Sequence, residues 1–335
     1  MTIETFPITT LGAAAAAVVE KIEPRREPFA PGIYFGLDEA AYHADPALGS
    51  TSMKKLADNP PAYWWDSPHN TMREEDTDTP ARFFGRAVHK FVLEGREAFE
   101  AAYAPTDYSG STKAGKEERE VIALEGKQPI KRDDWNRIMM AGTIIRANPE
   151  ISGAFSGGHP EVSIFWDRDG IRRKARFDYL KPRAIVDLKS NANTMDIDFV
   201  ASCRKSIATY RYDVQAAHYY EARSQVSSLF DAGSVFGDLG RGNQWMANAE
   251  WLQKVATAKE WAFVWIFYQS TGAPLTWGTT LSPGNGVLDL ARATLAKAEE
   301  NYRTFVDRFG LDRPWVITER LEELDINDLP GWMYR

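Results

Sequence analysis

The residues of this 335-residue chain whose types and spacing suit chemistry lie between positions 171 and 189. In Lys174-Ala175-Arg176-Phe177-Asp178-Tyr179, strand alternation puts Lys174, Arg176 and Asp178 on one face and Ala175, Phe177 and Tyr179 on the other. In Val186-Asp187-Leu188-Lys189, Asp187 and Lys189 share a face. Two short strands so close in sequence can pair, and two carboxylates and an ammonium then converge on one face of a sheet. Carboxylate oxygens are what a hard divalent cation such as Mg²⁺ takes while keeping several waters. A lysine beside such a site can orient or help deprotonate an attacking water and stabilise a negative phosphorane. The plainer reading makes Asp178 and Asp187 strand-end charges paired with Arg176 and Lys189.

The neighbours of these residues change the weight. From Arg168 to Lys189 there are eight Lys or Arg against three acids, although the whole chain carries a net charge of -7. A local basic excess is what phosphate binding, as on a nucleic acid, needs, and Arg172, Arg173, Lys174 and Arg176 are the candidate phosphate contacts. Gly85-Arg86-Ala87-Val88-His89 places Gly85 and His89 on one helix face, where the glycine would let another backbone approach. Gln215-Ala216-Ala217-His218-Tyr219 does the same for Gln215 and Tyr219. Taken singly, His89 reads as a hydrogen-bonded core histidine, and Gln215 and Tyr219 as ordinary helix polar groups.

Several elements must position these side chains. Ser50-Thr51-Ser52 caps a helix that stops at Asn59-Pro60-Pro61. Helical spacing of Phe84, Val88, Phe91 and Val92 predicts a helix over 81–95, ended by Gly95. Charged amphipathic helices are expected over 114–127 and 131–147. Short runs rich in branched and aromatic residues predict strands over 162–166, 171–180 and 184–188, the first two joined by an Asp169-Gly170 hairpin turn. A helix over 211–223 follows, then a glycine-, serine- and alanine-rich stretch, 225–259, read as an insertion over one face. A strand over 261–268, paired with 275–281, and a helix over 285–308 complete the order. The fold class is α/β or α+β with one central mixed β-sheet flanked by helices.

GxxxH, an acid on a hairpin strand, D-x-K and QxxxY, in that order, resemble the PDDEXK nuclease superfamily in its RecB-type branch. Three further segments are similar to phage and prophage proteins with the exonuclease VIII PDDEXK-like domain: Tyr42 to Ser50, Thr79 to His89, and Pro160 to Trp166. The resemblance covers about residues 32–224, with a weaker echo at Leu329-Pro330-Gly331-Trp332. It implies a restriction-endonuclease-like core over about 81–224 within a domain of 32–335. It implies Asp178 and Asp187 as metal-binding carboxylates, Lys189 as the catalytic lysine and His89 as a further metal-site residue. Gln215 and Tyr219 would support the site or touch the DNA backbone. Glu161 is a further candidate acid. The middle acid of the signature is aspartate here, as is common in this branch. The implied activity is Mg²⁺-dependent hydrolysis of DNA phosphodiesters, with Mn²⁺ able to substitute. More narrowly it is 5′→3′ exonuclease action at double-stranded DNA ends, in phage recombination beside a single-strand annealing protein. A ring-shaped trimer or tetramer would enclose the substrate, with the basic stretch as its inner wall. An endonuclease or single-strand nuclease on the same core, and a non-catalytic DNA-binding or assembly module, are the alternatives. Intact Asp178, Asp187 and Lys189 weigh against the last.

Composition excludes other classes. Hydrophobic residues make up 44% and charged residues 26%, which is globular rather than disordered, collagenous or membrane-embedded. The single cysteine, Cys203, rules out an internal disulfide framework, a four-cysteine cluster and a CxxC zinc site. It also removes the P-C-x-x-C half that a zinc deaminase would need beside His159-Pro160-Glu161. Gly110 to Lys116 fits GxxxxGK, but Glu117 stands where a P-loop needs Ser or Thr, and no apolar strand precedes it. The alanine run at 13–17 lacks the basic residues of a signal peptide, and the 261–268 run is too short to span a bilayer, so a cytoplasmic location is expected. Residues 1–31, with three prolines between 24 and 31, read as a mobile arm.

Overall fold

The structure is a computed structural model that describes residues 27–74, 78–318 and 321–334. Among these residues the strands are β1 (Gly32–Phe35), β2 (Tyr103–Thr106), β3 (Gln128–Lys131), β4 (His159–Arg168), β5 (Ile171–Lys181), β6 (Ala184–Asn191), β7 (Val235–Gly237), β8 (Ala262–Gln269) and β9 (Thr276–Leu281). Seven of them form one sheet in the order β7-β1-β4-β5-β6-β8-β9, and β2 and β3 form a separate parallel pair. The sheet is mixed: β4, β5 and β6 make an antiparallel meander, while β6 and β8 run parallel. A parallel neighbour needs a crossover. The helices Phe199–Thr209 and Tyr212–Ser224 begin it.

The meander starts at a two-residue turn. Asp169 has φ 49° and Gly170 φ 77°, the pair of positive φ values that a tight hairpin matched to strand twist requires. Helices cover both faces of the sheet. One core joins Ile164, Phe177, Ile185, Phe263 and Phe267 to the helices Ser50–Asp58, Tyr212–Ser224 and Gly286–Phe309. The other joins Tyr179, Val186, Leu188 and Ile266 to the helices Pro80–His89 and Arg132–Ala147. This is the restriction-endonuclease-like α/β architecture expected from the sequence.

Four local expectations are corrected. The 225–259 segment is no appendage: β7 is the edge strand beside β1, and Leu252 and Val255 of the helix Asn243–Thr257 are buried in the first core. The arm 1–31 lies outside the described residues up to position 26, but its last part is anchored. Phe29 packs on Phe165 at 5.1 Å between ring centroids, and its N–H donates to Asp45 Oδ2. The helix Ser50–Asp58 is preceded by Gly49, with no side-chain cap. Finally, Gly85 receives no other backbone; a Cβ there would meet open space. The GxxxxGK segment is a helix start, with Thr112 Oγ1 accepting the Gly115 N–H, although the short β2 does precede it. Of the tryptophans, Trp64 is buried, while Trp65 and Trp245 are exposed.

Candidate metal-dependent active site

β5 and β6 are neighbours over three rungs only, Tyr179↔Val186, Leu180↔Ile185 and Lys181↔Ala184. Beyond these the two strands part, β5 staying with β4 and β6 with β8. Asp178 stands at the split. Its Oδ2 accepts the N–H of Leu188 at 2.8 Å, a side-chain bond in place of the next rung. The β4–β5 ladder is interrupted at the same level. Pro160↔Tyr179 and Val162↔Phe177 pair, but Glu161 and Asp178 between them do not, and Glu161 has φ 53°. A non-glycine residue in the left-handed region is unusual in a strand. The local twist corrects the expected alternation: Phe177 packs in one core, but Tyr179, two residues on, packs in the core of the opposite face.

Because the sheet splits here, groups from both of its faces meet. From one side come Asp187 and Lys189 of β6 and Gln215 of the helix Tyr212–Ser224. Asp187 is fully buried. Its Oδ1 accepts Gln215 Nε2 at 2.9 Å, and its Oδ2 is paired with Lys189 Nζ at 2.6 Å. From the other side comes His89, at the end of the helix Pro80–His89. Its Nε2 lies 3.1 Å from the Leu188 carbonyl oxygen and its Nδ1 lies 3.8 Å from Asp178 Oδ2. A carbonyl only accepts, so Nε2 carries the proton and Nδ1 turns a lone pair toward the carboxylate.

The electrostatics follow from burial. Desolvation raises the Asp187 carboxyl to about 6 against the pull of Lys189, with Asp178 adding repulsion. Burial also raises Asp178, opposed by Lys189 and the Leu188 N–H. Burial works against the Lys189 charge, but Asp187 and Asp178 outweigh it and hold the ammonium above its ordinary value. His89 is pushed down to about 4, chiefly by burial and then by Lys189, and so is neutral near pH 7. Glu161 is pushed up to about 8 by burial and by Asp178.

The structure therefore brings together His89, Asp178, Asp187, Lys189 and Gln215. Glu161 faces Asp178 across the interrupted ladder and lies 4.0 Å from Arg176. Tyr219 takes no surface position. It is buried edge-on against Phe177, with ring centroids 5.3 Å apart, one helical turn beyond Gln215 in the core.

The donor set fits a hard divalent cation. Mg²⁺ uses one or two protein carboxylates and keeps waters, and Asp178 and Asp187 supply two. The His89 nitrogen and the Asp178 oxygen are two lone-pair groups facing each other with no proton between them. Among the described residues, no three His, Cys, Asp or Glu side chains are gathered into a ready clasp. Two carboxylates completed by water and phosphate are the arrangement this geometry can serve.

The basic strand is not a DNA-binding face. Arg173 is fully buried, with Nη1 2.8 Å from Glu221 Oε2 and Nη2 2.6 Å from Glu299 Oε1. Lys174 is buried as well, and its Nζ donates to the carbonyls of Tyr42 and Asp45 at 2.7 Å each. Arg172 is bound to the Phe29 carbonyl and lies 3.7 Å from Asp45. Arg176 donates to Ser163 Oγ and the Leu37 carbonyl. These cations bind the chain's own acids and carbonyls, because β5 is the middle strand of the sheet with helices over it. A sum of charges along a sequence does not register that. Nor can this strand form the inner wall of a ring.

The linear motifs also missed two residues. Tyr212, three positions before Gln215 on the same helix, has Lys189 Nζ 4.9 Å from its ring centroid. Lys54 Nζ lies 5.5 Å from the same centroid. Helical periodicity would have placed Tyr212 beside Gln215. Nothing in sequence connects Lys54 to residues more than a hundred positions away.

The split sheet, its paired aspartates and the D-x-K lysine define a protein with a restriction-endonuclease-like core. The family model for the PDDEXK-like domain of unknown function (DUF3799) matches residues 50–230, more than half of the chain, and the chain belongs to that family. Among solved structures, the fold is similar to a protein from Eubacterium rectale described as "Putative exonuclease". The TM-score is 0.52 and the identity 15%, over 89% of this chain and 99% of the other. No curated protein matches the chain. Among the described residues no helix is long and apolar enough to cross a membrane.

Proposed function

We propose that the protein is a metal-dependent deoxyribonuclease that hydrolyses DNA phosphodiesters, and that it works as an exonuclease on duplex ends with 5′→3′ polarity. The observation that carries the hydrolytic reading is the meeting of Asp178, Asp187 and Lys189 at the split between β5 and β6, with Lys189 Nζ 2.6 Å from Asp187. The exonuclease reading is supported by the family resemblance and by the name of the structural neighbour. Asp178 and Asp187 would hold Mg²⁺, with Mn²⁺ as its substitute, and His89 and Glu161 would lie beside it. Bound there, the ion would polarise the phosphate and acidify a coordinated water.

The chain's own residues do the rest. Gln215 fixes the rotamer of Asp187 through its Oδ1, and Tyr219, buried one turn further along the helix, backs the site from the core. The Leu188 N–H fixes Asp178 in the same way. Lys189 keeps its proton, so it balances the charge of the carboxylates and donates to the phosphate oxygen on which negative charge grows. Neutral His89 is a lone-pair donor at Nδ1 because its Nε2–H donates to the Leu188 carbonyl.

Purified protein with Mg²⁺ should degrade linear duplex DNA and leave covalently closed circles intact. Lys189→Ala should cut the rate at least about a hundredfold while DNA affinity is retained. A wild-type rate for Lys189→Ala would overturn the assignment of the D-x-K motif.

A further inference from the structure

Beside the proposed active site, the chain turns sharply between the helices Phe199–Thr209 and Tyr212–Ser224. Arg211 makes the turn with φ 51°, a conformation that costs a non-glycine residue energy. Its guanidinium is fixed by Asp213, at 3.1 and 3.2 Å, and by Thr294 Oγ1 at 3.0 Å. The turn sends neighbouring tyrosines in different directions. Tyr212 points inward, its ring centroid 4.9 Å from Lys189 Nζ. Tyr210 stays 60% exposed, its ring stacked on that of Tyr212 with 5.7 Å between centroids. Lys54, from the helix Ser50–Asp58, reaches the same place. Its Nζ lies 5.5 Å from the centroid of Tyr212 and donates to the Tyr210 carbonyl at 2.7 Å.

Charge balance singles out Lys54. Lys189 pairs with Asp187 and Arg211 with Asp213, but among the described residues no carboxylate forms an ion pair with Lys54. An ammonium has three donors, and one is spent on Tyr210. The two that remain lie near the ring of Tyr212, on which the exposed ring of Tyr210 is stacked. A cation with spare donors next to an aromatic face is how proteins hold a nucleic-acid strand: the cation takes a phosphate and the ring takes a base.

We propose that Lys54 and Tyr210 form a strand-gripping subsite beside the active site, Lys54 taking the phosphate next to the scissile one and Tyr210 stacking on a base of the same strand. The proposal rests on the nuclease reading for its substrate. The strained turn at Arg211 is then explained, since it presents one tyrosine to the catalytic lysine and the adjacent one to the substrate. The subsite grips single-stranded or frayed DNA, because a base inside an intact duplex has no free face to offer.

The test is equilibrium binding of the full chain to a single-stranded oligonucleotide in EDTA, read by fluorescence anisotropy across a range of salt. Lys54→Met should weaken binding about tenfold and lower the slope of log affinity against log salt by about 0.7, while Lys54→Arg restores both. Tyr210→Ala should weaken binding at least about fivefold with the slope unchanged, and Tyr210→Phe should restore it. With Mg²⁺, Lys54→Met should raise KM more than it lowers kcat. An unchanged slope for a Lys54→Met protein that melts like wild type would overturn the phosphate contact. Should Lys54→Met fail to fold, Lys54→Gln serves the same comparison. Wild-type affinity for Tyr210→Ala would overturn the stacking. These binding assays need no cleavage. A protein that shows the expected dependences but never cuts DNA overturns the nuclease reading and keeps the subsite. One that cuts normally with Lys54→Met at unchanged KM does the reverse.

Discussion

Asp178 Oδ2 accepts the backbone N–H of Leu188 at 2.8 Å, so a candidate metal-binding carboxylate also closes the gap where β5 and β6 part. The two roles separate by substitution. Asp178→Asn keeps an oxygen for the Leu188 N–H but loses the charge a cation needs. Asp178→Ala loses both and leaves an N–H without a partner, at a cost of about 1–3 kcal/mol. The expected outcome is that both variants lose Mg²⁺-dependent cleavage, while only Asp178→Ala shows a lowered denaturation midpoint. Equal stability of the two would mean that the bond does not hold the split strands.

Arg173 yields a prediction opposite to the one its sequence neighbourhood invites. It is fully buried between Glu221 and Glu299. Arg173→Met leaves those acids only the half-exposed Arg168, 2.8 Å from Glu221 and 4.0 Å from Glu299, and breaking a buried pair in this way costs up to about 3–5 kcal/mol. Denaturant midpoints should fall steeply, whereas the salt dependence of DNA binding by the folded variant should equal that of wild type. A reduced salt slope would return this strand to the DNA interface.

Much of this was legible in the sequence, and what was not has a physical pattern. The hairpin at Asp169-Gly170, the helix carrying Gln215 and the pairing of β5 with β6 follow from local turn chemistry and periodicity, which neighbouring residues carry. Alternation predicts Asp187 and Lys189 on one face, where they pair; Gln215 enters only through the motif order that resembles the PDDEXK superfamily, and its contact with Asp187 is visible only in the fold. The direction of Tyr179 was not legible, because the ladder breaks where Glu161, with φ 53°, faces Asp178, and a period-two rule does not register that. The fate of Arg173 and Lys174 was not, because burial depends on β5 becoming a central strand. Lys54 was not, because its partners, Tyr210 and Tyr212, lie on a distant helix pair.

His218 makes stability depend on pH. It is fully buried, its Nε2–H donates to the Lys174 carbonyl at 2.9 Å, and burial pushes it down to about 4. Its folded value lies below its unfolded one, so the unfolded chain binds the proton first. The stability it contributes is complete above about pH 6.5 and is lost as pH falls toward 4, on the order of 3 kcal/mol in all. Urea midpoints should therefore drop between pH 7 and pH 4.5 more in wild type than in His218→Gln. Parallel pH profiles for the two proteins would mean that His218 titrates in the folded state as it does in the unfolded chain.

Ends and assembly are the last point at which the reading can fail. An acidic chain, with a net charge of -7, repels DNA at long range, so processive digestion needs a device that keeps the substrate near. A closed ring of three or four subunits is one such device, and closed symmetry is the usual form of a homo-oligomer. Its inner wall cannot be β5, whose cations are bound within the subunit. On the proposed subsite, the groups left to meet the strand are Lys54, Lys189 and the exposed ring of Tyr210. A ring would have to turn that rim inward. Light scattering should then give a trimer or tetramer at working concentration, and digestion of linear duplex should begin at its ends and spare closed circles. A monomer that cuts closed circles efficiently would leave the metal site and the core in place and make the protein an endonuclease.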